Sequence, residues 1–80
     1  MARMNWTDWT DTFLLVLDVF GVKVGTFFSL EESYNLEPIL KKIYPKNSHI
    51  RAKIRQQLQV LRDHDRIIFI DDQGHYQRIK

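Results

Sequence analysis

The chain has 80 residues, of which 44% are hydrophobic and none is cysteine, so we expect one small domain without disulfides or thiolate metal sites. Its longest apolar run, residues 13–17, is too short to span a membrane, and its N-terminus lacks the pattern of a signal peptide. The absence of cysteine suits a reducing cytoplasm, where we expect the protein. The net charge of +2 is uneven, because residues 1–44 carry four cations against six anions and residues 45–80 carry eight against four, so a polyanion would bind the C-terminal half.

The first predicted element is an amphipathic helix that starts near Trp6. From there apolar side chains recur at steps of three and four residues as far as Phe20, which is the spacing of one helical face. Gly21 follows directly and predicts the end of the helix. After a loop, residues 26–28 are β-branched or aromatic and are expected to be extended.

Two short helices are predicted next. Ser29 and Glu32 have the spacing of a capping box, which predicts a helix over residues 30–34. Pro38 breaks the apolar pattern but is tolerated in a first turn, so a further helix is expected over about residues 36–44. Three apolar side chains of that helix are expected to face the core: Ile39, Leu40 and Ile43.

The last predicted elements are a longer helix and a hairpin. Ser48 is the expected N-cap of a helix that runs to about His64. Residues 66–70 are rich in β-branched and aromatic side chains and predict a strand. The segment 71–74 reads as a tight turn, and residues 75–79 as the returning strand.

The order of helix, short strand, helices, helix and hairpin predicts a winged helix-turn-helix. This is an α+β fold, mainly α, in which the C-terminal β-hairpin is the wing. We interpret residues 1–5 as a flexible leader and residues 6–80 as a winged-helix DNA-binding domain.

The helix that follows Ser48 has an unusual charge pattern, with four cations and no anion as far as Arg62. At about 100° per residue one narrow stripe is apolar, and Gln57 lies beside it, where it is expected to bond backbone rather than a base. Ala52 leaves a gap in the opposite face that would admit a methyl group. The candidate DNA-binding residues of this segment are Asn47, Ser48, His49, Arg51, Ala52, Lys53, Arg55, Gln56 and Gln59.

These residue types suit the major groove of DNA. Arginine matches the O6 and N7 of guanine, and glutamine matches the N7 and N6 of adenine. Flanking lysines and arginines neutralise phosphates, and free amides at a helix N-terminus bind a phosphate oxygen. Arginine, glutamine and lysine are also good helix formers, so an ordinary solvated helix is the alternative interpretation.

The wing is a second candidate contact. His75 and Arg78 are positioned in the hairpin to reach a flanking phosphate or the minor groove. Asp71 and Asp72 oppose this contact, because carboxylates at the turn repel the DNA backbone. A hairpin that merely covers the core is an equally good interpretation.

Catalysis by this chain is not expected. The three histidines, His49, His64 and His75, lack the spacing of a metal site. Ser29 and Ser48 each have a capping role that outranks a nucleophilic one. We therefore expect no catalytic residue, no metal and no cofactor.

Several segments resemble a known family over about residues 9–80. These segments are FSLEESY (28–34), KNSHI (46–50), KIRQQLQVLRD (53–63), IIF (67–69) and GHYQR (74–78). They are similar to the C-terminal winged-helix domain of the DpnI-like, dam-replacing restriction endonucleases. The DDQ turn departs from the family, since it is more acidic than the basic wing expected there.

The resemblance implies a function. In that family the winged helix recognises double-stranded DNA with adenine methylated on N6, typically in GATC, and a separate restriction nuclease domain precedes it. The implied setting is a bacterial or phage-like host. The positions that match the recognition segment are Asn47, Ser48, His49, Arg51, Lys53, Arg55, Gln56 and Gln59.

Other interpretations stay open. A winged helix also serves as a protein-interaction module, and DNA binding without methyl dependence is equally compatible with the residues. Binding to RNA is disfavoured, because an A-form major groove excludes a helix. We expect a monomer with no membrane partner.

Overall fold

A computed structural model describes residues 3–80. In this range the helices are α1 (Asp8–Val19), α2 (Leu30–Tyr34), α3 (Glu37–Ile43) and α4 (Ile50–Asp63), and the strands are β1 (Phe27–Ser29), β2 (Ile67–Phe69) and β3 (His75–Arg78). The strands form an antiparallel sheet in the order β1-β3-β2. This confirms the predicted α+β winged helix-turn-helix.

Helix α1 begins and ends at local signals. The backbone N–H of Thr7 donates to the Thr10 hydroxyl over 3.1 Å at the first turn. The helix stops at Val19, and Gly21 follows with a φ of +94°, a conformation that favours glycine. Phe20, the last residue of the apolar pattern, is 53% exposed. Its ring lies beyond the last helical turn, past the edge of the core.

The capping box before α2 is confirmed. The backbone N–H of Glu32 donates to the Ser29 hydroxyl, and the Glu32 carboxylate accepts from the backbone N–H of Ser29, both over 3.1 Å. These two bonds satisfy amides that have no partner inside the helix. The helix covers residues 30–34, as predicted.

Helix α3 buries less than predicted. Leu40 is fully buried and Ile39 is half-buried, but Ile43 is 47% exposed, so the prediction that it faces the core is wrong. By rotation it lies on the same side as Leu40. It is nevertheless the last residue of the helix and extends beyond the core.

Helix α4 packs its predicted apolar stripe into the core. Gln57 is 1% exposed and its side-chain oxygen accepts from the Thr10 hydroxyl over 2.6 Å. Its predicted structural role is thus confirmed, although the partner is a side chain of α1 rather than backbone. The buried apolar residues of α4 are Val60 and the predicted stripe of Ile50, Ile54, Leu58 and Leu61.

The start of α4 differs from the prediction. The helix begins at Ile50 with His49 as its N-cap, so the prediction of Ser48 as N-cap is wrong. Instead the Asn47 side-chain oxygen accepts from the backbone N–H of His49 over 2.7 Å. Such a bond from residue i to residue i+2 closes an Asx turn, which orders the chain directly before the helix.

The hairpin is anchored to α2 at its turn. The backbone N–H of Leu30 donates to the Gly74 carbonyl over 2.8 Å. Gly74 has a φ of +82°, and a Cβ there would lie 3.0 Å from the Leu30 Cβ. Glycine therefore permits both the backbone conformation and the close approach. In the sheet, Phe28, Tyr76 and Phe69 lie in register and pack together toward the core.

The N-terminal residues lie against the same helix. Arg3 and Met4, part of the predicted leader, hydrogen-bond to Asp63 at the end of α4. Residues 1 and 2 lie outside the described residues, and the domain boundary at residue 5 stays a prediction. In residues 3–80, no helix has both the length and the apolar character needed to cross a membrane.

Candidate nucleic-acid interface

Burial of the apolar stripe of α4 turns its polar residues outward. We call this exposed surface the α4 face. All its members are exposed except Lys53, which is half-buried, and Asn47 lies half-buried at its edge. The α4 face consists of Ser48, His49, Arg51, Ala52, Lys53, Arg55, Gln56 and Gln59.

A depression of about 350 Å³ opens on this surface around Ala52. The small Ala52 side chain leaves this space unfilled, as the sequence predicted. Side chains that can donate hydrogen bonds surround it, and an amide, an imidazole and an ammonium group are among them. Besides Ala52, the lining residues are Asn47, His49, Lys53 and Gln56.

The cations of the α4 face differ in their partners. The Arg51 Nε donates to the Glu37 carboxylate over 3.1 Å, and its guanidinium lies 4.8 Å from the centre of the Tyr34 ring. In the described part of the chain, Arg55 has no carboxylate within 4.0 Å. Arg55 therefore presents a full positive charge to solvent, whereas the charge of Arg51 is partly compensated.

Aromatic rings support the flank of the α4 face. The Trp9 and Tyr44 rings stack with their centroids 4.2 Å apart, and the Lys53 ammonium lies 5.8 Å from the Trp9 centroid. The Tyr44 hydroxyl donates to Thr12 over 3.0 Å. This packing restricts the Lys53 side chain and holds its charge beside the depression.

The turn before α4 adds a cation that the sequence analysis left out of the site. Lys46 is exposed and lines a depression of about 380 Å³ together with Ile43, Tyr44, Pro45 and Asn47. The Lys41 ammonium donates to the Asn47 carbonyl over 2.6 Å and so steadies the turn. The signal available in the sequence was the position of Lys46 directly before the predicted helix start.

Charged side chains of the wing bond to groups within the wing itself. The exposed His75 donates from Nδ1 to the Asp71 carboxylate over 2.8 Å, and Asp71 also accepts from the backbone N–H of Gln73 over 2.8 Å. The hydrogen bond from the Gln73 N–H and, to a smaller extent, the one from His75 lower the pKa of Asp71 below its ordinary value. These bonds hold the Asp71 carboxylate in place, and together with Asp72 it makes the wing tip acidic.

The position of Arg78 does not fit the predicted DNA contact. Its side chain is 10% exposed, and one guanidinium nitrogen donates to the Asp18 carboxylate over 3.0 Å and to the Val22 carbonyl over 2.7 Å. Its Nε donates to the Lys80 carbonyl over 3.0 Å. Arg78 therefore ties β3 to the end of α1, and these donors are not directed at a phosphate outside the protein. Lys23 and then Arg78 lower the pKa of Asp18.

Metal chemistry finds little support in the described residues. Between residues 3 and 80, no three His, Asp or Glu side chains come close enough together to hold a metal ion. Two of the three histidines are used elsewhere: His75 bonds Asp71, and His64 donates to the Met4 carbonyl over 2.8 Å.

A comparison with protein-family models gives one finding. The model described as the Dam-replacing HTH domain matches residues 6–78. The match covers α1 through β3 and therefore includes the whole α4 face as well as the wing.

Proposed function

Since this chain belongs to the family of the Dam-replacing HTH domain, a helix-turn-helix of the DNA-binding type, we propose that it reads N6-methyladenine in a GATC-like site of double-stranded DNA. The α4 face enters the major groove in this proposal. The observation that carries it is the depression at Ala52, which lies among hydrogen-bonding side chains on the exposed side of α4.

The chemistry of the depression suits a methylated adenine. The N6 atom of adenine faces the major groove, so a methyl group on it projects toward a helix lying there. The Ala52 methyl offers an apolar contact for that group. Gln56 borders the same depression and can donate to the adenine N7, because the methyl group replaces the N6 hydrogen on this edge, while Arg55 is available for the O6 and N7 of guanine.

Phosphate binding is assigned to the flanks. Lys53 borders the depression, and Lys46 lies in the turn that precedes α4. Both cations can neutralise phosphates of the strands that bound the groove. The acidic wing tip at Asp71 and Asp72 makes the hairpin the weaker contact.

The architecture around this domain is also part of the proposal. We propose that DNA cleavage belongs to a separate nuclease domain, as the resemblance implies, and that the winged helix supplies sequence and methyl recognition. A monomeric state and a cytoplasmic location stay predictions.

Titration of labelled duplexes tests the proposed function. The affinities of fully methylated, hemimethylated and unmethylated GATC duplexes are measured at two salt concentrations. The affinity should decrease in that order. The log–log slope against salt should be about −0.9 per neutralised phosphate. Equal affinity for the three duplexes would refute methyl reading, and a flat salt dependence would refute phosphate binding.

A variant that fills the depression sharpens this test. Ala52→Leu should reduce the ratio of methylated to unmethylated affinity toward one, because the added side chain occupies the space assigned to the methyl group. Gln59→Leu is the matched control, since it adds apolar bulk to the α4 face at a residue that does not line the depression. The control should keep the ratio. An unchanged ratio in Ala52→Leu would contradict the assignment of the depression.

A further inference from the structure

The chain before α1 is fastened to the end of α4. The Arg3 Nε donates to the Asp63 carbonyl over 2.8 Å, and a second Arg3 nitrogen also bonds this carbonyl. The backbone N–H of Met4 donates to the Asp63 carboxylate over 3.0 Å. His64 Nε2 donates to the Met4 carbonyl over 2.8 Å. These bonds define the path of the segment that leads to α1.

Neighbouring groups reinforce this attachment. The Met4 N–H is the largest cause that lowers the pKa of Asp63, as expected of a bond that favours the ionised carboxylate. The Trp6 ring meets His64 edge-on with centroids 5.5 Å apart, and the Arg66 guanidinium lies 5.2 Å from the Trp6 centroid. The segment from Met4 to Trp6 is therefore held at both of its ends.

A groove separates this segment from α4. It has a volume of about 230 Å³ and is bordered by Met4, Asn5 and Thr7 on one side and by α4 on the other. Lys53 and Gln56 border this groove and also the depression at Ala52. The two hollows thus adjoin along one flank of the α4 face, and the exposed Asn5 stands across from Lys53.

We propose that this segment is the second wall of the DNA-binding surface and that the Asn5 amide donates to a phosphate oxygen of the strand bordering α4. The inference rests on the proposed function, which places the α4 face in the major groove. A helix in the major groove directs flank residues such as Lys53 to the DNA backbone, and Asn5 lines the same hollow as Lys53. Asparagine is among the side chains that commonly bond phosphates.

The charge of Asp8 favours a phosphate contact at Asn5 over one at the first turn of α1. Asp8 is exposed in the first turn of α1, where its carboxylate repels a phosphate that approaches the helix amides. Asn5 is uncharged and precedes that turn. Lys53, across the groove, supplies the positive charge that the approach of a phosphate requires.

The substitution Asn5→Ala tests the contact. Affinity should fall about fivefold, which corresponds to the net contribution of one ordinary hydrogen bond, for methylated and unmethylated duplexes alike. The salt slope should stay that of the parent protein, because no charge is removed. Asn35→Ala is the matched control and should change nothing, since Asn35 lies with Leu17 and Val22 at the other end of α1.

The outcomes separate the two proposals. If the parent protein binds DNA and Asn5→Ala binds equally well, the second wall is refuted while the α4 face stands. If the parent protein itself does not bind, the proposed function fails first. A fivefold loss confined to the methylated duplex would also refute a phosphate contact, because phosphates are the same in both duplexes.

A double-mutant cycle tests whether His64 positions Asn5. His64→Ala removes the bond to the Met4 carbonyl, and it should lower DNA affinity about threefold through the displaced segment. The double variant that combines His64→Ala with Asn5→Ala should lose no more affinity in total than Asn5→Ala alone, because His64 acts through Asn5. His64→Gln should restore affinity, since an amide can donate to the same carbonyl. Fully additive losses would show that His64 acts on stability alone and would refute the positioning role.

Discussion

The α4 face and the hairpin wing contain the same kinds of residue but offer them to solvent differently. On the α4 face, Arg55 and Gln56 are exposed, and Arg55 has no carboxylate within 4.0 Å in the described residues. In the wing, Arg78 is almost fully buried and His75 bonds Asp71. A basic residue therefore indicates a nucleic-acid contact only where the fold leaves its donors free.

The periodicity of each element produces this difference. In a helix with a narrow buried stripe, the remaining positions point outward, and in α4 these carry the cations. In a strand, alternate residues face the core. Tyr76 and Arg78 share the buried side of β3, whereas His75 points outward. Arg78, the arginine of the wing, is therefore buried.

The largest expected effect is on DNA affinity after loss of two α4 side chains. Arg55→Ala combined with Gln56→Ala should weaken binding by about 2–6 kcal/mol, since each base contact contributes about 1–3 kcal/mol. Fluorescence anisotropy measures the loss. Lys23→Ala combined with Asn35→Ala removes the same types of group at the other end of α1 and should leave affinity unchanged. Equal losses in both double variants would erase the difference between the surfaces.

Arg78→Ala tests the wing from the opposite side. It should lower the free energy of unfolding by about 1–3 kcal/mol, because the Asp18 carboxylate and the Val22 carbonyl lose a partly buried donor. Urea denaturation measures this change. DNA affinity of the folded protein should change less than about twofold. Lost affinity with intact stability would instead return Arg78 to the DNA interface.

Adjacent glutamines provide a similar contrast within α4. Gln57→Ala should lower the free energy of unfolding by about 1–3 kcal/mol, since it leaves the buried Thr10 hydroxyl without its acceptor. Gln56→Ala should change stability by less than about 0.5 kcal/mol, as exposed positions do, while it weakens DNA binding. Thermal unfolding and anisotropy on both variants check this. Equal effects of the two changes would contradict the assignment of the faces.

The smallest effect is expected at the wing tip. Asp71→Asn combined with Asp72→Asn should raise DNA affinity about twofold at low salt, because two exposed carboxylates near the backbone are removed. The gain should disappear as salt increases. Glu31→Gln, an exposed acid in α2, is the control. A large gain that persists at high salt would mean that the wing tip lies in direct contact with DNA.

Much of the fold could be predicted because its signals are local. The Ser29–Glu32 capping box spans three residues, and the apolar stripe of α4 repeats within one helix. These patterns determine α2, the outward side of α4 and the winged helix-turn-helix class. The family resemblance rests on the same segments and agrees with the match over residues 6–78. The DNA contacts themselves stay predictions.

What the tertiary structure alone decided involves partners far apart in the chain. Thr10 and Gln57 are 47 residues apart, and Asp18 and Arg78 are 60 apart. The exposure of Ile43 and Phe20 likewise depends on where the core ends, and the attachment of Met4 to Asp63 depends on how the chain returns to α4. Periodicity indicates which side of an element is buried, but it does not indicate which side chain from another element meets it there. For Arg78 and Asn5, that packing determines whether a polar side chain is held inside the protein or lies beside the proposed DNA site.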